Sequence, residues 1–135
     1  VFTDSFMQTS LSLAKDLQSH LKKQSPDLSL KIVGHSKGGE AAEYVGAMTG
    51  LKTCAYYSAG LSALTRSEIG INRMNKADIT NINTRGDWLS QGTVRGSVIP
   101  RSQIGREQYV FDEGTRYTDN AHFAEAMIDG LDGRL

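Results

Sequence analysis

One serine in this chain lies in a pattern that could make it a nucleophile. Residues 34–38, GHSKG, match G-x-S-x-G, in which Ser36 projects from a sharp turn between a strand and a helix. A serine hydroxyl becomes reactive when a general base takes its proton and N–H groups hold the oxyanion. The backbone N–H of Lys37 is the first predicted oxyanion donor. Glycine is expected at 34 and 38 because side chains there would crowd the turn.

The general base for such a serine is a histidine, and the chain has three. Enzymes with this turn carry their residues in the order serine, acid, histidine. His20 precedes the serine and is expected on the surface, whereas His35 is expected to pack away from the reaction. His122 alone follows the serine, at the start of the last predicted helix. We therefore predict His122 as the base; the alternative is a capping or surface histidine.

The acid that orients this histidine is predicted to be Asp87. It comes directly after a predicted strand, in a glycine-containing turn, at the sheet edge where the active sites of open parallel sheets collect. Asp112 follows a later predicted strand and is the second choice. Asp78 lies at the wrong end of its strand, and Asp119 is too near His122 in sequence. The alternative for Asp87 is a turn residue that bonds its own backbone.

Alternating helices and strands are predicted to position these residues. Apolar residues three and four apart indicate helices, and short apolar runs between turn residues indicate strands. The alternation favours βαβ units and a mostly parallel sheet, that is, an α/β fold. The predicted helices cover residues 3–23, 37–48, 67–74 and 121–131, with Thr3 or Asp4 as the N-cap of the first and Gly50 as the C-cap of the second. The predicted strands cover 28–33, 52–57, 78–83, 97–100 and 108–111, the last as a candidate antiparallel edge.

Length and composition limit the range of functions. A chain of 135 residues predicts a single domain over 1–135. The 15 basic residues balance the 15 acidic ones, which argues against nucleic acid as a partner. Cys54 is the single cysteine, so an internal disulfide and a cysteine-pair zinc site are excluded, and the thiol is expected to pack in the core. No secretory signal or membrane span is recognised, and the localisation stays open.

Several segments, taken in order, resemble the lipase-type α/β-hydrolases, especially the class 3 lipase and phospholipase A1-like group. The form GHSKGG is similar to lipase-like hydrolases of bacteria and phage, with lysine where many lipases carry leucine. The further similar segments are CAYYSAG at 54–60, INTRGDWLS at 82–90, the stretch 99–105 that begins Ile-Pro and ends Ile-Gly, and NAHF at 120–123.

The resemblance implies an esterase with Ser36, Asp87 and His122 as its triad. The substrate would be a lipid or another acyl ester, which implies contact with membrane lipid, and the reaction would need no metal or organic cofactor. In this family several strands precede the nucleophile, so the resemblance implies that the front of the fold is absent here. The second oxyanion donor and any lid would then lie on a missing segment or another chain that completes the sheet.

Two alternatives remain open at this point. One is a non-catalytic, hydrolase-like module or fragment that binds another chain as part of a larger effector. The other keeps the fold and changes the reaction to thioester or peptide cleavage. Tyr57, Ser58 and Gly60, after the second predicted strand, could border a substrate pocket or simply end that strand.

Overall fold

The computed structural model describes residues 4–84 and 101–110. In this part of the chain, helices alternate with short strands. The helices are α1 (Ser5–Gln24), α2 (Lys37–Thr49), α3 (Ala63–Ile69) and α4 (Ile71–Lys76); the strands are β1 (Ile32–His35), β2 (Thr53–Tyr56), β3 (Leu61–Ser62), β4 (Ile79–Thr84), β5 (Arg101–Ser102) and β6 (Arg106–Val110).

Four of the strands form one sheet in the order β1-β2-β4-β6, and every pairing in it is parallel. The other two, β3 and β5, form a small antiparallel ladder. The predicted α/β class with a mostly parallel sheet is therefore confirmed. The predicted antiparallel direction of the last described strand is wrong. Gly105 lies against Ile79 at the start of β4, so the chain enters β6 at that end and runs parallel to β4.

Helix α2 is the centre of the packing. It contacts α1 on one side and β1 and β2 on the other, and between Gly39 and Ala47 nearly every residue is buried. Small side chains allow this close approach: a Cβ atom on Gly46 would lie 2.9 Å from the Cβ of Thr53 on β2. The main buried cluster consists of Met7, Ala14, Ala41, Tyr44, Val45, Ala47, Leu61, Ile69, Ile79 and Ile104.

The ends of α1 and α2 carry local signals that the sequence predicts. Asp4 is the N-cap of α1, and its side chain accepts a hydrogen bond of 2.9 Å from the N–H of Met7. Gly50 is the C-cap of α2 with φ 75°, a left-handed conformation that suits glycine. On the predicted apolar face of α1, Met7 and Ala14 are buried, but Leu17 is exposed.

The segment between β2 and β4 differs from its prediction. It holds two short helices, α3 and α4, separated by Gly70 at φ 85°, where one helix over 67–74 is predicted. The hydroxyl of Ser62 accepts a hydrogen bond of 3.2 Å from Thr65 N–H, and this cap starts α3 earlier than predicted. Strand β1 begins at Ile32 instead of residue 28, because pairing with β2 starts opposite Thr53.

Some predictions fall on residues that the structure does not describe. They are the turn over 85–87, the strand at 97–100, the loop over 112–120 and the helix over 121–131. Among the described helices, none combines the length and the apolar character that a bilayer crossing needs. Cys54 is half-buried on β2 as a free thiol.

Candidate active site

Ser36 occupies a sharply turned backbone between β1 and α2. Its φ of 57° and ψ of −119° lie in a region that non-glycine residues rarely adopt, at a cost of about 1–3 kcal/mol. Two sets of hydrogen bonds maintain this turn. Ser36 N–H donates to the carbonyl of Tyr56 at 2.9 Å, and the Ser36 carbonyl accepts from the N–H groups of Gly39 and Glu40 at 2.9 and 3.2 Å. The half-buried serine thus lies at the carboxyl end of β1 and the amino end of α2.

Glycines around the serine let the turn close. A Cβ atom on Gly34 would lie 2.5 Å from the carbonyl carbon of Gly38, so no side chain fits at 34. The prediction that a side chain at Gly38 would crowd the turn is wrong, because a Cβ atom there meets no atom within 4 Å. Gly39 is the second glycine that packing requires: its Cβ would lie 3.1 Å from the Cβ of Ser58. Packing therefore requires glycine at 34 and at 39, and no contact requires it at 38.

The first turn of α2 presents its backbone to the serine. Of the first four N–H groups of α2, those of Gly39 and Glu40 donate to the Ser36 carbonyl, and the side chain of Ser36 makes no capping hydrogen bond. Lys37, the predicted oxyanion donor, is the first residue of α2. Its Nζ lies 3.6 Å from Asp4 and 5.9 Å from the Phe6 ring centre, so the side chain extends toward the start of α1. This pair is exposed, and such pairs contribute little.

A second strained residue ends the neighbouring strand. Tyr57 follows β2 with φ 53° and is fully buried, and its N–H donates to the Ile82 carbonyl at 3.1 Å. The ring of His35 meets the ring of Tyr57 edge-on, with centroids 5.6 Å apart. His35 is exposed, but its ring packs against this aromatic neighbour, which confirms the packing part of the prediction. Tyr57, Ser58 and Gly60, which could have bordered a pocket, are all buried.

The residue that sequence reasoning missed is Glu43, whose side chain is 0% exposed in the middle of α2. Ser58 Oγ donates a short hydrogen bond to its Oε1, and Ile104 N–H donates to Oε2 at 2.6 Å. Burial raises the pKa of Glu43 to about 8, although both hydrogen bonds act to lower it. The sequence signal is the position of Glu43 between apolar neighbours, Ala41 and Ala42 before it and Tyr44 and Val45 after it, on the helix that follows Ser36.

A network of buried amides surrounds this carboxyl. Asn83 and Gln103 form a reciprocal pair, in which each side-chain NH₂ donates to the other's oxygen at 2.9 and 3.1 Å. Gln103 Nε2 also donates to the Ser58 carbonyl at 2.6 Å. Asn81 Nδ2 donates to the carbonyl of Ile104 at 2.6 Å. The strand predicted from DITNIN thus uses its asparagines to hold the chain that leads into β6.

The remaining predicted site residues divide into two groups. Asp87, His122, Asp112 and Asp119 lie outside the described residues. Asp78 precedes β4 and accepts a hydrogen bond of 2.7 Å from Arg106, a structural pairing at the amino end of the sheet. His20 is exposed on α1, as predicted.

Over residues 4–84 and 101–110, no group of three or more histidine, cysteine, aspartate or glutamate side chains could hold a metal ion. A scan against models of protein families and a search of curated proteins find no match to this chain.

Proposed function

We propose that this chain is a serine hydrolase of the lipase-type α/β-hydrolase kind, acting on carboxylic esters of lipids or other acyl groups. Ser36 attacks the acyl carbonyl, and His122 takes its proton and passes it to the leaving alcohol. Asp87 holds the imidazole in the required tautomer, and water then hydrolyses the acyl-enzyme. The proposal rests on one observation, the strained backbone of Ser36 between β1 and α2.

Three features of the described residues support this mechanism. A nucleophile must point away from its own helix, and Ser36 does not cap α2. The N–H of Lys37, at the positive end of α2, suits an oxyanion. Asp87 follows β4 by three positions in sequence, and β4 lies next but one to β1 in the parallel sheet. The carboxyl ends of β1 and β4 lie at one edge of the sheet, and the proposal assigns both the serine and the acid to that edge.

Labelling with a fluorophosphonate tests the nucleophile directly. We expect the chain to be labelled and to hydrolyse p-nitrophenyl esters or phospholipids, and Ser36→Ala to lose both, with turnover falling by roughly 10³- to 10⁶-fold. Ser67→Ala, which changes an exposed serine on α3, is the matched control and should behave as wild type. Equal labelling and turnover in Ser36→Ala would end the proposal. Thioester and peptide substrates in the same panel test the alternative reactions.

A second candidate function is a binding module, and the free side of β1 favours it. In the described residues β1 is the end strand of the sheet, and Val33 on it is 69% exposed. Phe6 and Leu13 of α1 are also exposed, and they border a groove of about 340 Å³ beside β1. Parallel sheets are normally covered, and exposed apolar edges pair with further strands. An extended apolar segment of another chain would complete the sheet here.

Val33→Lys tests the binding module. If another strand pairs with β1, this change should weaken the association between copies of the chain that sedimentation measures. Ser36→Ala should leave that association unchanged. Unchanged sedimentation of Val33→Lys across the concentration range would argue against this function and leave the hydrolase proposal intact.

A further inference from the structure

We propose that Glu43 is a positioning residue for Ser36. Its hydrogen bonds to Ser58 and Ile104 form a clamp that holds the start of α2 against the end of β2, and the clamp keeps Ser36 in its strained conformation. The consequence for reactivity rests on the proposed hydrolase function. The effect on the backbone does not, so the two can be tested separately.

The clamp acts on the turns of α2 that follow the serine. Gly39 packs on Ser58, with only 3.1 Å between the Cβ position of Gly39 and the Cβ of Ser58. Glu43, one turn later on the same side of the helix, accepts a hydrogen bond from the hydroxyl of that same residue. Two successive turns of α2 are thus fastened to one point just after β2.

Both partners of Glu43 are themselves fixed. Ser58 Oγ accepts a hydrogen bond of 3.0 Å from Gly60 N–H, and the Ser58 carbonyl accepts one from Gln103. Ile104 is held from both sides, since its N–H donates to Glu43 and its carbonyl accepts from Asn81 on β4. The clamp therefore joins α2, the end of β2, β4 and the segment before β6.

The attachment of α2 to the end of β2 affects Ser36 because Ser36 has a strained backbone conformation. A strained backbone persists only when its surroundings over-determine it. If α2 could tilt away from β2, Ser36 could relax toward an ordinary helix start, and its hydroxyl would leave the turn. The amides of Gly39 and Glu40, which donate to the Ser36 carbonyl, report on this relaxation.

The ionisation of Glu43 allows the clamp to be perturbed by a change of pH. Its pKa of about 8 results first from burial, and the charges of Glu40 on α2 and Glu107 on β6 raise it further. Arg101 on β5 lies 2.9 Å from Glu40 and pairs with it. At pH 7 the carboxyl is neutral, and glutamine is its neutral isostere. The glutamine oxygen can accept from Ile104 N–H, and its NH₂ can donate to Ser58 Oγ, which reverses the direction of the hydrogen bond between Ser58 and Glu43. Above pH 8 the clamp gains a buried negative charge that glutamine never carries.

Three variants separate a positioning role from a merely structural one. We expect Glu43→Gln to be labelled by fluorophosphonate at pH 7 within about threefold of wild type. Between pH 8 and pH 10 the labelling rate should fall about tenfold in wild type but stay level in Glu43→Gln. Glu43→Ala should be labelled about tenfold more slowly than wild type at pH 7. If Glu43→Ala does not fold, Ser58→Ala replaces it in the test, because that variant keeps the Glu43 carboxyl and removes one of its hydrogen-bond partners. Glu68→Gln makes the same chemical change at an exposed position on α3 and should follow wild type.

Amide hydrogen exchange at Gly39 and Glu40 gives the readout that does not need catalysis. The exchange rate should rise at least tenfold in Glu43→Ala or Ser58→Ala. Above pH 8 it should rise more steeply with pH in wild type than in Glu43→Gln, which shows only the intrinsic effect of pH on exchange. Unchanged exchange together with identical labelling profiles would overturn the clamp. If Ser36→Ala is labelled to the same extent as wild type, the hydrolase proposal fails. Amide exchange alone then decides whether the clamp exists.

Discussion

A side chain at Gly34 would overlap the backbone of Gly38: a Cβ atom there would lie 2.5 Å from the Gly38 carbonyl carbon and 2.9 Å from the Gly39 nitrogen. Backbone atoms cannot rotate away as a flexible side chain can. The strand and the helix on either side of Ser36 therefore approach each other as closely as the chain permits. Of the two glycines in the motif, Gly34 is required by this close approach and Gly38 is not.

Gly34→Ala should accordingly destabilise the chain by about 2–3 kcal/mol, because the turn must open to admit a methyl group. It should also lower fluorophosphonate labelling of Ser36. Gly38→Ala is the matched control, since its new methyl group meets nothing, and alanine favours a helix by up to about 1 kcal/mol over glycine. Urea unfolding and labelling rates check both variants. Equal effects of the two substitutions would contradict this account.

Ser36→Gly should stabilise the chain relative to Ser36→Ala by about 1–3 kcal/mol, although both variants lack the hydroxyl. Glycine adopts a φ of 57° and ψ of −119° without the steric cost that any Cβ atom brings. Chemical denaturation of the two variants and of wild type measures the difference. If alanine proves as stable as glycine, Ser36 is not strained.

The stability of wild type should fall as the pH rises from about 4.5 to about 8. The pKa of Glu43 is raised from 4.5 to about 8 in the folded chain, so folding favours the protonated carboxyl, and this advantage is complete below pH 4.5 and lost above pH 8. The expected change is a few kcal/mol, since each pKa unit corresponds to about 1.4 kcal/mol. Urea unfolding between pH 4 and pH 9 measures it. Glu43→Gln should lack this slope; the same slope in both would contradict the assignment to Glu43.

The reciprocal amide pair of Asn83 and Gln103 should show coupling of about 1–2 kcal/mol in a double-mutant cycle with alanine. Asn83 is buried and Gln103 is half-buried, so an amide left unpaired there is costly. The exposed ion pair of Asp78 and Arg106 offers a comparison on the same strands and should couple by less than about 1 kcal/mol. Similar coupling of both pairs would show that burial does not set the difference.

If the proposed triad is correct, His122→Ala should reduce ester turnover about as much as Ser36→Ala does. Asp87→Asn should then reduce it by about 10⁴-fold, because the triad histidine would lose the carboxylate that orients it. Asp112→Asn tests the second choice of acid and should leave turnover near wild type. The three rates with one p-nitrophenyl ester decide the assignment. A large loss in Asp112→Asn with none in Asp87→Asn would transfer the role of acid.

The sequence predicted those features that depend on neighbouring residues. The cap of α1 at Asp4, the C-cap of α2 at Gly50 and the turn at Ser36 all follow from preferences that act within a few positions. The parallel sheet followed from the alternation of elements. The direction of β6 could not be predicted, because five residues of strand pattern do not encode which end of β4 they meet.

What the sequence determined by itself is a sharp strand-to-helix turn at Ser36, because Gly34 leaves room for the backbone to turn there, together with the helices and strands on either side. Only the tertiary structure decided that Glu43 is buried and bound to Ile104, a residue 61 positions later. It likewise decided that Asn83 meets Gln103, 20 positions away. The physical reason is that burial and hydrogen-bond pairing depend on which surfaces come together in space, and no short-range spacing along the chain specifies that.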